Sequence, residues 1–156
     1  MVCLVAGVLI AVVLNITKDK IEETEEAEVN MALAEIFPSA EFVEENGYYR
    51  VLENENFIGY AAVTEGIGPG GKIKLAIGVN LDGMIEGVHI ISHSEAGVYS
   101  MVAEENFLIQ FKGKSLEEVK LRKEGGKIDA VTGATMSSKA VVTIVHDELQ
   151  KLPKML

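Results

Sequence analysis

The chain has one cysteine, Cys3. Neither a disulfide framework nor a cysteine-based metal cluster can form within it. Basic residues are scarce as well. Lys and Arg number 14 against 24 Asp and Glu, so the 156 residues carry a net charge of -10. That deficit excludes nucleic acid as a natural partner, because phosphate backbones need a basic surface, and it argues against docking onto anionic lipid. Histidines are few. His89 and His93 are four apart in a segment that reads as strand, which separates them by about 13 Å, too far for one zinc. His146 stands by itself further on. No Ser-His-Asp arrangement is legible, since such triads are defined by geometry. The chain shows no internal repeat and no low-complexity linker. Its length suits one domain with a real core.

Charge is also missing from the first segment, "MVCLVAGVLIAVVLNI", as far as Ile16. As a helix it would span roughly 24 Å, somewhat less than a ~30 Å hydrocarbon core. It reads first as a transmembrane anchor over residues 1–16. A signal peptide would want a basic start and a small-x-small cleavage site, and neither is present. A buried core helix is the third reading. Lys18 and Lys20 follow the segment and no Lys or Arg precedes it. Taken alone, that count puts the following domain in the cytoplasm.

Residues 17–37 are expected to form a helical stalk, capped by Thr17 and stopped by Pro38, with its glutamates as a solvated face. Residues 38–156 are expected to form the folded domain. "EFVEE", "YYRVLE" and "FIGYAAVTE" read as short strands. "KIKLAIGVN" and "MIEGVHIIS" alternate on either side of Asp82-Gly83, a strong hairpin signal. "SEAGVYS" reads as loop, "AEENFLIQF" as a short helix, and "KGKSLEEV" as a turn leading into another, with Ser115 and Glu118 as a capping box. "TMSSKAVVTIVHDELQKL" reads as the last helix. The class is α+β, an antiparallel sheet flanked by helices.

Two glycine-bearing stretches resemble phosphate loops and fail the pattern. In "TEGIGPGGKIKL", Lys72 is followed by Ile73 rather than Ser or Thr; before "GKS" at 113–115, Leu108 stands where a glycine is needed. Both are expected to be turns, the first also a possible wall of a ligand site. The stretch with most chemistry is "DAVTGATMSS", residues 129–138. Gly133-Ala134 makes a tight turn. Thr132, Thr135, Ser137 and Ser138 surround it, ahead of an apolar helix face of Val141, Ile144, Val145 and Leu149. A helix start offers unpaired N–H groups and a favourable dipole to a phosphate. The hydroxyls could equally be helix caps. From the residues alone, both readings stand.

Asp129-Ala130-Val131-Thr132-Gly133-Ala134-Thr135-Met136-Ser137 closely resembles the flavinylation motif of the FMN-binding domain family: Asp, two residues, Ser or Thr, Gly-Ala, Ser or Thr, one residue, Ser or Thr. Gly59-Tyr60, Asp82-Gly83-Met84-Ile85, His93-Ser94-Glu95 and "FLIQFKGK" at 107–114 extend the resemblance over most of the chain. It is similar above all to the G subunit of the Rnf ferredoxin:NAD oxidoreductase, a relative of the C subunit of the sodium-translocating NADH:quinone oxidoreductase. One departure is plain. The family's "E-T-P-G-L-G" is "EAGVYS" here, residues 95–100, which bears on cofactor contacts by His93 and Glu95 but not on Thr135.

The resemblance implies FMN joined through its phosphate to Thr135 by a flavin transferase. Asp129, Thr132, Gly133, Ala134, Ser137, Ser138, Glu95 and His93 would lie around the cofactor. It implies an electron-relay subunit among the other membrane subunits of an Rnf-like complex. The anchor would be single-pass in the cytoplasmic membrane, with the domain facing outside. On topology we follow the resemblance over the lysine count. The alternatives are an anchored FMN protein of another electron-transfer chain, a flavin reductase, and an anchored binding domain without flavin.

Overall fold

A computed structural model describes residues 24–152. The anchor expected over residues 1–16 lies outside the described residues, as does the expected stalk up to residue 23. Among the described residues no helix is long and apolar enough to cross a membrane.

Helix α1 covers residues 24–36. Five strands follow: β1 (Glu41–Glu45), β2 (Tyr48–Glu53), β3 (Asn56–Gly68), β4 (Gly71–Asn80) and β5 (Ile85–His93). They pair in sequence order, each antiparallel to the next. The short helix α2 (Glu105–Leu108) and the long helix α3 (Thr135–Leu149) complete the domain, with 3-10 turns at Gly97–Ala103, Ile109–Phe111 and Arg122–Glu124. The α+β class with flanking helices is therefore what the chain forms.

The sheet is the middle of three layers. β4 shows why: Leu75, Ala76, Ile77 and Val79 are all buried, so alternate side chains meet a core on each face. On one face Leu75, Ile77 and Val79 join Phe107, Phe111, Val141 and Val145. On the other, Ala76, Ala61 and Val51 pack against Val29, Leu33 and Phe37. The described part of the expected stalk is thus seated on the sheet, its apolar positions turned inward from an acidic surface. Glycines of the sheet let these neighbours approach closely. A Cβ on Gly78 would collide with Ile36 and Phe37, and one on Gly66 with Ile144. Burying each large aliphatic side chain on these faces is worth about 1.5–3 kcal/mol.

The Asp82-Gly83 hairpin forms between β4 and β5. Asn80 braces it, its Oδ1 accepting from the N–H groups of Asp82 and Met84 at 3.0 Å each, while Gly83 takes φ +75°. Three local expectations need correction. The turn expected over the glycine-rich stretch forms, but it is only two residues long. β3 runs through Gly66 to Gly68, and only Pro69-Gly70 turn before β4; there glycine serves close packing rather than flexibility. Ser115 and Glu118 do meet, Glu118 accepting from the Ser115 N–H at 3.1 Å, but no helix follows. The chain bends so that Leu121 pairs in parallel with Ile128, which buries Val119, Leu121 and Ile128. Residues 97–103, read in part as loop, coil into a 3-10 turn.

β3 outruns its neighbour. Its pairing with β2 ends at Ala61, while its pairing with β4 continues to Gly68. Beyond Ala61, β3 has β4 on one side and an open groove on the other.

Candidate functional site

The 129–138 stretch folds as a turn feeding α3. Gly133 adopts φ +81°, a conformation that β-branched residues avoid. The Ala134 N–H donates to the Val131 carbonyl at 2.9 Å, and the Ser138 N–H donates to the Ala134 carbonyl at 2.9 Å. The four hydroxyls divide. Ser137 and Ser138 are fully buried; Thr132 and Thr135 are exposed. Ser138 Oγ accepts from the Val131 N–H and donates back to the Ala134 carbonyl, both at 2.9 Å, so it closes the turn from below. Ser137 Oγ donates to Glu95 Oε2 at 2.6 Å. No side chain caps α3. The hydroxyls are therefore not helix caps, and the first N–H groups of α3 keep no intrahelical partner.

Glu95 is a joint between segments. It is buried, and its second oxygen, Oε1, accepts from the Gly70 N–H at 2.8 Å. One carboxylate thereby ties the β3–β4 turn to the first turn of α3. The structure places Glu95 behind Ser137, beneath the motif. His93 ends β5, partly buried, and its Nδ1 is enclosed without a partner among the described residues.

Thr135 stands on the wall of a cavity of about 470 Å³, shared with Arg122, Lys123, Asp129, Thr132 and Gly133. On the other side of α3 runs a larger groove of about 650 Å³, between Ile67 and Pro69 on one wall and Met136, Lys139 and Ala140 on the other.

Asp129 is held firmly although it is exposed. Arg122 grips its carboxylate in a fork, Nε to Oδ1 at 2.6 Å and Nη2 to Oδ2 at 2.8 Å. Gln110 holds its backbone, accepting from the Asp129 N–H at 2.8 Å and donating to its carbonyl at 3.3 Å. The Arg122 hydrogen bond keeps the Asp129 carboxyl below the usual aspartate range, and the same bond pushes the guanidinium further up. Sequence reasoning missed Arg122, Lys123 and the role of Gln110. Gln110 lay within "FLIQFKGK", but nothing in the spacing joins it to a residue 19 positions on.

The FMN-binding domain matches residues 68–150, just over half of the chain. The match runs from the end of β3 through the whole of α3. The chain is 30% identical to the G subunit of the ion-translocating oxidoreductase complex of Methanosarcina acetivorans, covering 91% of this chain and 84% of that protein. It is 30% identical to the G subunit of the proton-translocating ferredoxin:NAD(+) oxidoreductase complex of Clostridium ljungdahlii, covering 96% and 85%. Against the G subunit of the ion-translocating oxidoreductase complex of Vibrio atlanticus it is 29% identical, covering 91% and 81%. The chain belongs to the FMN-binding domain family, among the G subunits of ion-translocating oxidoreductase complexes.

Proposed function

We propose that this chain is an electron-relay subunit of a membrane-bound, ion-translocating ferredoxin:NAD oxidoreductase, carrying FMN joined through its phosphate to Thr135. One observation carries the reading. Thr135 is the exposed first residue of an uncapped helix, and it shares its cavity with two cationic side chains. The donor set fits a phosphate: free N–H groups, an arginine and a lysine, with no carboxylate but the one Arg122 already neutralises.

The bound flavin supplies the electron chemistry. The chain's own residues hold and place it. Gly133 lets the backbone turn sharply enough to present Thr135. Ser138 keeps that turn closed, and Glu95 fixes the first turn of α3 against the β3–β4 hairpin. Neighbouring membrane subunits pass and accept the electrons, and a flavin transferase attaches the cofactor. Residues 1–16 anchor the domain to the cytoplasmic membrane, outside which it works.

Intact mass and peptide mapping of the chain co-expressed with a flavin transferase test this. The expected result is a gain of one FMN less one water on the peptide containing Thr135. An unmodified mass, with the transferase active on a control protein, would end the proposal.

A further inference from the structure

We infer that Arg122 and Lys123 bind the phosphate of the flavin on Thr135, Arg122 using the guanidinium edge that Asp129 leaves free. This rests on the attachment proposed above.

Three observations support it. First, the fork to Asp129 uses Nε and Nη2. Arginine has five N–H donors in a fixed plane, so Nη1 and the second Nη2 hydrogen remain, and these have no partner among the described residues. Second, the turn that carries Arg122 is fastened to the helix that carries Thr135. Glu124 accepts from Lys139 Nζ at 2.6 Å, one helical turn beyond Thr135. The cations and the attachment point therefore lie on neighbouring segments around one cavity. Third, charge is unbalanced around this cavity. Arg122 and Asp129 cancel, and so do Glu124 and Lys139. Lys123, between the two pairs, is left exposed on the cavity wall with no partner among the described residues. A phosphodiester brings the single negative charge that balances it.

A structural role alone explains the arrangement poorly. Both side chains of the Arg122–Asp129 pair are more than half exposed, 64% and 59%. Exposed ion pairs add little stability, yet four hydrogen bonds order this one. A guanidinium held by a carboxylate on one edge and offered to a phosphate on the other uses that order.

The test compares the full chain with Arg122→Gln, Arg122→Lys and Lys123→Gln variants. Each is loaded by a flavin transferase and followed by mass, and the ³¹P resonance of the loaded protein is then recorded. Loading of Arg122→Gln should slow by about tenfold, the effect of losing a charge-assisted hydrogen bond. Arg122→Lys should fall between. Lys123→Gln should slow loading by about threefold. Both Gln variants should shift the ³¹P resonance. Wild-type loading rates with an unshifted resonance would overturn the inference. So would slow loading with an unshifted resonance, which places the two cations in recognition by the transferase. If Arg122→Gln unfolds the domain, Lys123→Gln decides alone, since it removes no contact. A wild-type chain that gains no FMN would instead sink the attachment at Thr135, and this inference with it.

Discussion

Gln110 and Asp129 exchange two hydrogen bonds across 19 residues of sequence, Gln110 Oε1 accepting from the Asp129 N–H at 2.8 Å and Nε2 donating to its carbonyl. The end of the "FLIQF" segment thereby sets the start of the hydroxyl-rich turn. Gln110→Ala should slow flavin loading clearly while costing only about 1 kcal/mol of stability, because the bonds are near the surface. Urea unfolding and a loading time course separate the two effects. Unchanged loading would mean that the turn keeps its shape without the clamp.

Thr135→Ala should abolish covalent flavin and leave a folded domain. Thr135 is exposed, and its hydroxyl takes no part in the hydrogen bonds that shape the turn. Stability should therefore change by under about 0.5 kcal/mol. Flavin fluorescence of the variant on a denaturing gel is the check. A fluorescent band would refute the attachment site.

Gly133→Val should reduce loading and stability together. A β-branched side chain at φ +81° is strained by about 1–3 kcal/mol. Mass and melting temperature report both. Normal loading with normal stability would show that the turn relaxes without consequence.

Glu95→Ala should destabilise the domain by about 2–4 kcal/mol, since it leaves the buried Ser137 hydroxyl and the Gly70 N–H without their acceptor. The double variant with Ser137→Ala should recover part of the loss. Additive losses in denaturant titrations would show that the two residues are not coupled.

The pH dependence at Asp129 has a definite sign. Its folded-state carboxyl is depressed, first by the Arg122 hydrogen bond. Its contribution is therefore present above the ordinary aspartate range and is lost as pH falls through the lower folded value. In Arg122→Gln the Asp129 titration should move upward, toward that range. Carboxyl ¹³C titration measures it, and an unmoved curve would mean that the ion pair does not persist in solution.

Much of the fold was legible because it depends on local chemistry. Alternation marked β4 and β5, Asp82-Gly83 marked their hairpin, and Val141, Ile144, Val145 and Leu149 marked the buried face of α3. The failures came where distant packing overrode local preference. Gly66 and Gly68 look like loop formers, yet in β3 they make room for Ile144 and Glu95. Val29, Leu33 and Phe37 lie among glutamates that suggest a free stalk, yet they complete the second core. In the site, the exposed motif could be read from its spacing. The Glu95–Ser137 bond spans 42 residues, and no periodicity announces it.

The overhang of β3 beyond β2 has a consequence for amide exchange. The Lys72 carbonyl accepts from the Ser94 N–H, so Lys72 faces β5, and its partner Ile67 must face away from β4. By strand alternation Glu65 and Val63 do the same. Deuterium uptake along this segment should therefore form a comb. Val63, Glu65 and Ile67 exchange quickly, while Thr64, Gly66 and Gly68, bonded to β4, exchange slowly beside them.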